Sequence, residues 1–112
     1  MKFIKVFIST ITMFFFIYNN SASADPWHGY TKITSLYPAK SGYIFTVESA
    51  LPTHSTCGDG KRFSIPINHV NYEAMVSTLI TAFVADKEIR INLDNITEPN
   101  CQPTINRFTV KK

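Results

Sequence analysis

Residues 72–83 place Met75, Val76, Leu79, Ile80 and Phe83 at the clearest helical spacing in this chain. Asn71 stands just before the run as an N-cap, and Glu73 falls in the first turn, where the helix dipole favours a negative charge. With that cap, Val70 and Met75 occupy the two positions of a hydrophobic staple. The pattern fades over 85–87. One amphipathic helix has to bury its apolar stripe against something, and the sequence on either side offers only strands.

Before the helix, residues 31–37 mix β-branched residues in rough alternation, and "PAKSG" is a turn. Residues 43–49 alternate Tyr43, Phe45 and Val47 against Ile44, Thr46 and Glu48, a second strand paired with the first. A long loop with Pro52, Gly58 and Gly60 leads to a third strand at 62–67, with Phe63, Ile65 and Ile67 on one face. Pro66 cannot donate a ladder hydrogen bond, which puts that strand at an edge or a strand end. After the helix, 88–94 switches to period two, with Ile89, Ile91 and Leu93 inward and Arg90 and Asn92 outward. Residues 104–110 form the last strand. The order is β-β-β-α-β-β with no internal repeat. Five strands with one helix between the third and fourth is the order of the OB-fold, a partly open Greek-key barrel. The expected class is therefore a small α+β, OB-like domain.

The ends set the compartment. Lys2 and Lys5 form a basic start, residues 6–18 are apolar and uncharged, and Ala22-Ser23-Ala24 is a small-x-small cleavage signal. That is the three-part pattern of a secretory signal peptide, and the apolar run is shorter than the roughly 20 residues a spanning helix needs. The expected division is a signal over 1–24 and a single domain over 25–112, secreted or periplasmic, with no membrane span after cleavage. Lys2 and Lys5 leave with the signal and no acid does, so a formal charge of +3 falls to +1. Nucleic acid needs a concentrated basic stripe, and Lys61-Arg62 and Lys111-Lys112 are isolated pairs. Nucleic acid is not an expected partner.

A domain this small buries a modest core and benefits from a cross-link. Cys57 and Cys101 are the two cysteines of a chain bound for an oxidising compartment, so one disulfide is expected. It would close a loop of about 44 residues, for which the chain-entropy description gives roughly 4 kcal/mol.

The stretch "PTHSTCGDGKRF" gathers most of the chemical residue types. It lacks the Gly-Lys-Ser/Thr ending of a phosphate loop, and its single Asp59 cannot supply a calcium loop. A zinc set from His54, Cys57, Cys101 and His69 or His28, and a Cys57 nucleophile with a histidine base, both require thiols that the disulfide removes. Gly58, Asp59 and Gly60 read as turn residues, Lys61-Arg62 as a solvated approach to the third strand, and His69 as a local cap or surface group. The "NIT" at 95–97 matches a glycosylation acceptor. No cofactor, metal or catalytic residue is expected.

The signal, three strands, the helix "NYEAMVSTLITAFVADKE", the strand "IRINLD", then Cys101 and the closing strand "INRFTV" together resemble the OB-fold binding subunits of pentameric bacterial toxins. The likeness is to the subtilase-cytotoxin and pertussis-like branch, and to small exported bacterial proteins of the same layout. It is strongest over 71–93. The resemblance implies a ring-forming, non-enzymatic protein that binds host-cell glycans beside a catalytic A subunit, with its helices facing a central pore. No sugar-contacting position of that family has a match here, so no residue role is carried over. For sugar binding, the aromatic residues Trp27, Tyr30 and Tyr43 are available, with His28 near them and His54 in the long loop. Two further readings are an exported structural or inhibitory protein with a protein partner, and a small secreted hydrolase.

Overall fold

The computed structural model describes residues 26–94 and 98–112. The signal expected over 1–24 and the acceptor pattern at 95–97 lie outside the described residues. The elements are β1 (Thr31–Ala39), β2 (Gly42–Val47), β3 (Arg62–Pro66), α1 (Tyr72–Val84), β4 (Glu88–Leu93) and β5 (Ile105–Val110), with a short 3-10 turn at Gly58–Gly60. The protein is a small α+β fold: one antiparallel sheet in the order β3-β2-β1-β4-β5, one helix and one disulfide.

β1 is the pivot of the sheet. Its start pairs with β4 through Thr31–Ile89 and Lys32–Glu88, and from Ile33 onward it pairs with β2. A register break between Ile33 and Ser35 separates the two halves. The extra residue adds twist and bends the strand, so β1 can serve partners on both sides. Thr34 and Ser35 both reach the Thr46 hydroxyl there, at 2.8 and 2.6 Å. The sheet edges β3 and β5 meet at one isolated parallel bridge, Ser64–Thr104, supported by Ser64 N–H donating to the Pro103 carbonyl at 3.0 Å. The ladder is not closed as a barrel among the described residues.

A two-residue turn, Lys40–Ser41, joins β1 to β2, with Ala39 opposite Gly42. Gly42 is buried, and a Cβ there would run into the backbone carbonyl oxygen of Ile65 on β3. The two strands can approach this closely only with hydrogen at that position. Gly42→Ala is expected to destabilise the fold by about 1–3 kcal/mol, the cost of overpacking. A chemical-denaturation midpoint equal to that of the parent protein would show that β3 gives way freely.

The core lies between the sheet and α1. Phe45, Val47, Phe63, Ile65, Leu79, Ile89, Ile91, Leu93 and Ile105 are fully buried. Each such side chain contributes about 1.5–3 kcal/mol by leaving water. The alternation of β4 holds, with Ile89, Ile91 and Leu93 inward.

Several expectations fail in informative ways. The buried stripe of α1 is Met75, Leu79 and Ala82, while Ile80 is 36% and Phe83 39% exposed. The sheet covers only part of the helix's apolar arc. Val70 is 91% exposed, so it makes no staple with Met75. Asn71 holds the N-cap position without a side-chain cap bond; its own N–H donates to His69 Nδ1 at 3.0 Å. Ile67 lies past the end of β3 and is exposed, and Ile44 is buried although it alternates away from Phe45. Asn92 is buried rather than outward, because the chain at Trp27 bridges to it and covers it. Arg62 is half-buried beside the disulfide, with a terminal nitrogen 3.8 Å from Cys101 Sγ, so it is no solvated approach.

Among the described residues, no helix is long and apolar enough to cross a membrane. The disulfide fits a secreted or periplasmic protein.

Candidate functional site

Cys57 and Cys101 are bonded, with Cα atoms 4.6 Å apart. The long loop is built around this bond rather than around a reactive group. Thr56 N–H donates to Asn100 O at 2.9 Å and Asn100 N–H to His54 O at 3.0 Å, so the loops 51–60 and 98–103 run as a short parallel pair. The buried Ser55 hydroxyl donates to the Arg62 carbonyl at 2.8 Å and lies within reach of the Cys57 and Cys101 carbonyls. Gly58, Asp59 and Gly60 all take positive φ (62°, 56° and 80°), the turn geometry their types favour. With both sulfurs in the bond, neither a thiolate ligand nor a thiol nucleophile is present in this state. Among the described residues, no group of three or more His, Cys, Asp or Glu is placed to hold a metal ion.

Two histidines have both ring nitrogens committed. Gly29 N–H donates to His28 Nδ1 at 2.9 Å, which leaves Nε2 as the protonated nitrogen donating to Ser49 O at 2.8 Å. His69 repeats the device: Asn71 N–H donates to Nδ1 at 3.0 Å and Nε2 donates to Asn106 O at 2.7 Å. Each ring is a brace between segments. His28 ties the chain before β1 to the end of β2 and packs near Phe63, with ring centroids 6.1 Å apart. His69 ties the start of α1 to β5.

The five residues expected at a binding surface do not come together. Trp27 and Tyr30 lie on the exposed side of the sheet, at 38% and 44% exposure. His28, between them, points into the core. Tyr43 is half-buried on β2, packed against the core. His54 is half-buried in the loop, with Nδ1 3.1 Å from the Thr53 hydroxyl.

What the structure gathers instead centres on Arg107. Opposite Asn92, β5 carries one residue too many, and this bulge falls at Asn106. Asn106 Nδ2 donates to Asn92 Oδ1 at 3.1 Å, and the Asn106 carbonyl accepts from His69 Nε2 at 2.7 Å. On one side of the bulge, a surface cleft of about 250 Å³ opens between α1 and β5. Its lining includes Asn71, Thr78, Asn106 and Arg107 as polar groups and Met75 and Phe108 as apolar ones. On the other side, Arg107 turns toward Trp27.

No family model, curated protein or solved structure matches this chain. The geometry alone carries the functional reading.

Arg90 on β4 places its guanidinium carbon 4.6 Å from the Trp27 ring centroid, and Arg107 places its own at 5.4 Å. Lys111 lies 5.3 Å from the Tyr30 ring and 3.6 Å from Glu88. Each cation–π contact contributes about 0.5–1 kcal/mol at an exposed site. A further depression, among Lys32, Asp86, Lys87, Glu88, Lys111 and Lys112, mixes both signs of charge. There the hydrogen bond and charge of Asp86 hold the Lys32 pKa above its ordinary value. The site residues missed by the sequence are Arg90, Arg107, Asn106 and His69 as a brace. Outward alternation flags Arg90, but only the β4–β5 register brings it to the same ring as Arg107.

Proposed function

We propose that this protein is an exported, non-catalytic binding module with an OB-like architecture, of the kind used as binding subunits in pentameric bacterial toxins, and that it recognises a cell-surface glycan. The observation that carries the reading is the cleft at the Asn106 bulge. It lies just below the usual range of ligand-site volumes and pairs an aromatic side chain, Phe108, with amide and hydroxyl groups from two elements. Those groups suit the hydroxyls and apolar face of a single sugar ring. The OB-like assignment is supported by β1 bending between two partners and by the parallel meeting of β3 and β5.

A glycan array tests the ligand. Binding is expected, and Thr78→Tyr, which fills the cleft from the exposed face of α1, is expected to weaken it at least tenfold with unchanged circular dichroism. Failure to bind any sugar at high concentration would sink the glycan reading.

The oligomeric part of the reading rests on α1. The sheet leaves Ile80, Phe83 and Val84 exposed, and Glu73 is the one charged residue of the helix. A helix face this apolar in water is a contact surface, and the reading assigns it to further copies of the same chain around a ring. Light scattering is expected to show an oligomer that Ile80→Glu converts to folded monomer. A strict monomer for the parent protein at high concentration removes the ring. An exported protease or ADP-ribosyltransferase encoded in the neighbouring reading frame is the expected A-subunit partner.

A further inference from the structure

We infer that Trp27, Arg90 and Arg107 form a receptor for a tetrahedral oxyanion, a phosphate or sulfate ester, on the exposed face of the sheet. The two guanidiniums converge on one indole ring, at 4.6 and 5.4 Å from its centroid. With a guanidinium carbon at each of these distances, the ring orients cations and is not a free platform for a sugar. Two like charges held at one ring repel each other, and an anion between them relieves that repulsion.

The surroundings leave these charges available. Neither Arg90 nor Arg107 has a carboxylate within ion-pair distance among the described residues. The nearest acids along β4 are engaged elsewhere: Glu88 lies 3.6 Å from Lys111, and Asp94 accepts a hydrogen bond from the Thr104 hydroxyl. The backbone beneath is fixed. Trp27 bridges to Asn92, His28 N–H donates to Ile91 O at 2.9 Å, and Leu93 N–H donates to Pro26 O at 2.8 Å. The ring that positions both cations is therefore anchored to β4 through three successive residues.

The chemistry selects the ligand. A carboxylate offers two oxygens in one plane, which a single bidentate arginine fork matches. A phosphate ester carries about −1.5 to −2 and three free acceptor oxygens, which matches two guanidinium forks. Arginine serves this role better than lysine because its planar fork donates in pairs. Arg107 also borders the cleft, whereas Trp27 and Arg90 do not, so Arg90→Gln tests the oxyanion site apart from any sugar in the cleft.

The chain has a single tryptophan, so Trp27 emission reports the site directly. Inorganic phosphate titrated into the purified protein at constant ionic strength, with chloride as the balancing anion, is expected to change that emission saturably, and sulfate to compete. Arg90→Gln and Arg107→Gln are each expected to weaken phosphate binding at least tenfold, with unchanged circular dichroism. Arg90→Lys keeps the charge but loses the fork, so its affinity should fall between parent and glutamine variant. Competition by glucose 6-phosphate assigns the site to soluble esters, and competition by vesicles containing phosphatidic acid assigns it to lipid headgroups. An emission change that follows ionic strength alone, or equal phosphate affinity in the parent and both glutamine variants, overturns the inference and leaves Trp27 as packing for the sheet.

Discussion

Replacing Cys57 and Cys101 together by alanine is expected to lower the thermal midpoint by roughly 15–30 °C. The bond spans a sequence separation of 44, and cross-linking a loop of that length removes about 4 kcal/mol of entropy from the unfolded chain. In a domain of this size each kcal/mol moves the midpoint by about 4–8 °C. The native side of the balance changes less, because the flanking loops keep their own bonds, Thr56 N–H to Asn100 O and Asn100 N–H to His54 O. Differential scanning calorimetry of the double variant measures the shift. A drop under about 5 °C would mean that the loop pair constrains the unfolded chain without the sulfur bond.

Phe63→Ala is expected to cost about 3–5 kcal/mol, the range for emptying a large aromatic from a core. Phe63 is fully buried on β3, with its ring centroid 6.1 Å from both Phe45 and His28. Phe45 lies directly across the β2–β3 ladder, while His28 is braced to Ser49 and Gly29 and cannot move in to fill the space. The cavity should therefore persist rather than collapse. Urea unfolding reads the loss as a lower midpoint at unchanged slope. A loss below about 1.5 kcal/mol would show that the N-terminal brace is softer than its two hydrogen bonds indicate.

Strands and helix were legible because each has a local period: two for Ile89, Ile91 and Leu93, and close to 3.6 for Met75 and Leu79. Burial was less legible. Ile80 and Phe83 belong to the same apolar arc as Met75, yet the fold leaves both partly exposed. Asn92 reads as an outward residue by alternation and is buried because a segment about 65 residues earlier lies across it. The candidate site was the least legible part. Trp27 stood out as a candidate contact on its aromatic character, but its neighbours are two arginines that stand far from it in sequence.

The sequence by itself determined the order of elements and the pairing of the cysteines, because only two cysteines were present to be joined. It also determined that "PTHSTCGDGKRF" is a turn-rich loop, since Gly58, Asp59 and Gly60 are the residue types that accept positive φ. Tertiary structure alone decided which side chains meet. The regular register of β4 and β5 places Arg107 opposite Asn92 and near the ring that Arg90 also approaches, and His69 closes the helix onto the bulge at Asn106. Such contacts depend on register between strands, and register is set by the packing of the whole sheet rather than by any one segment.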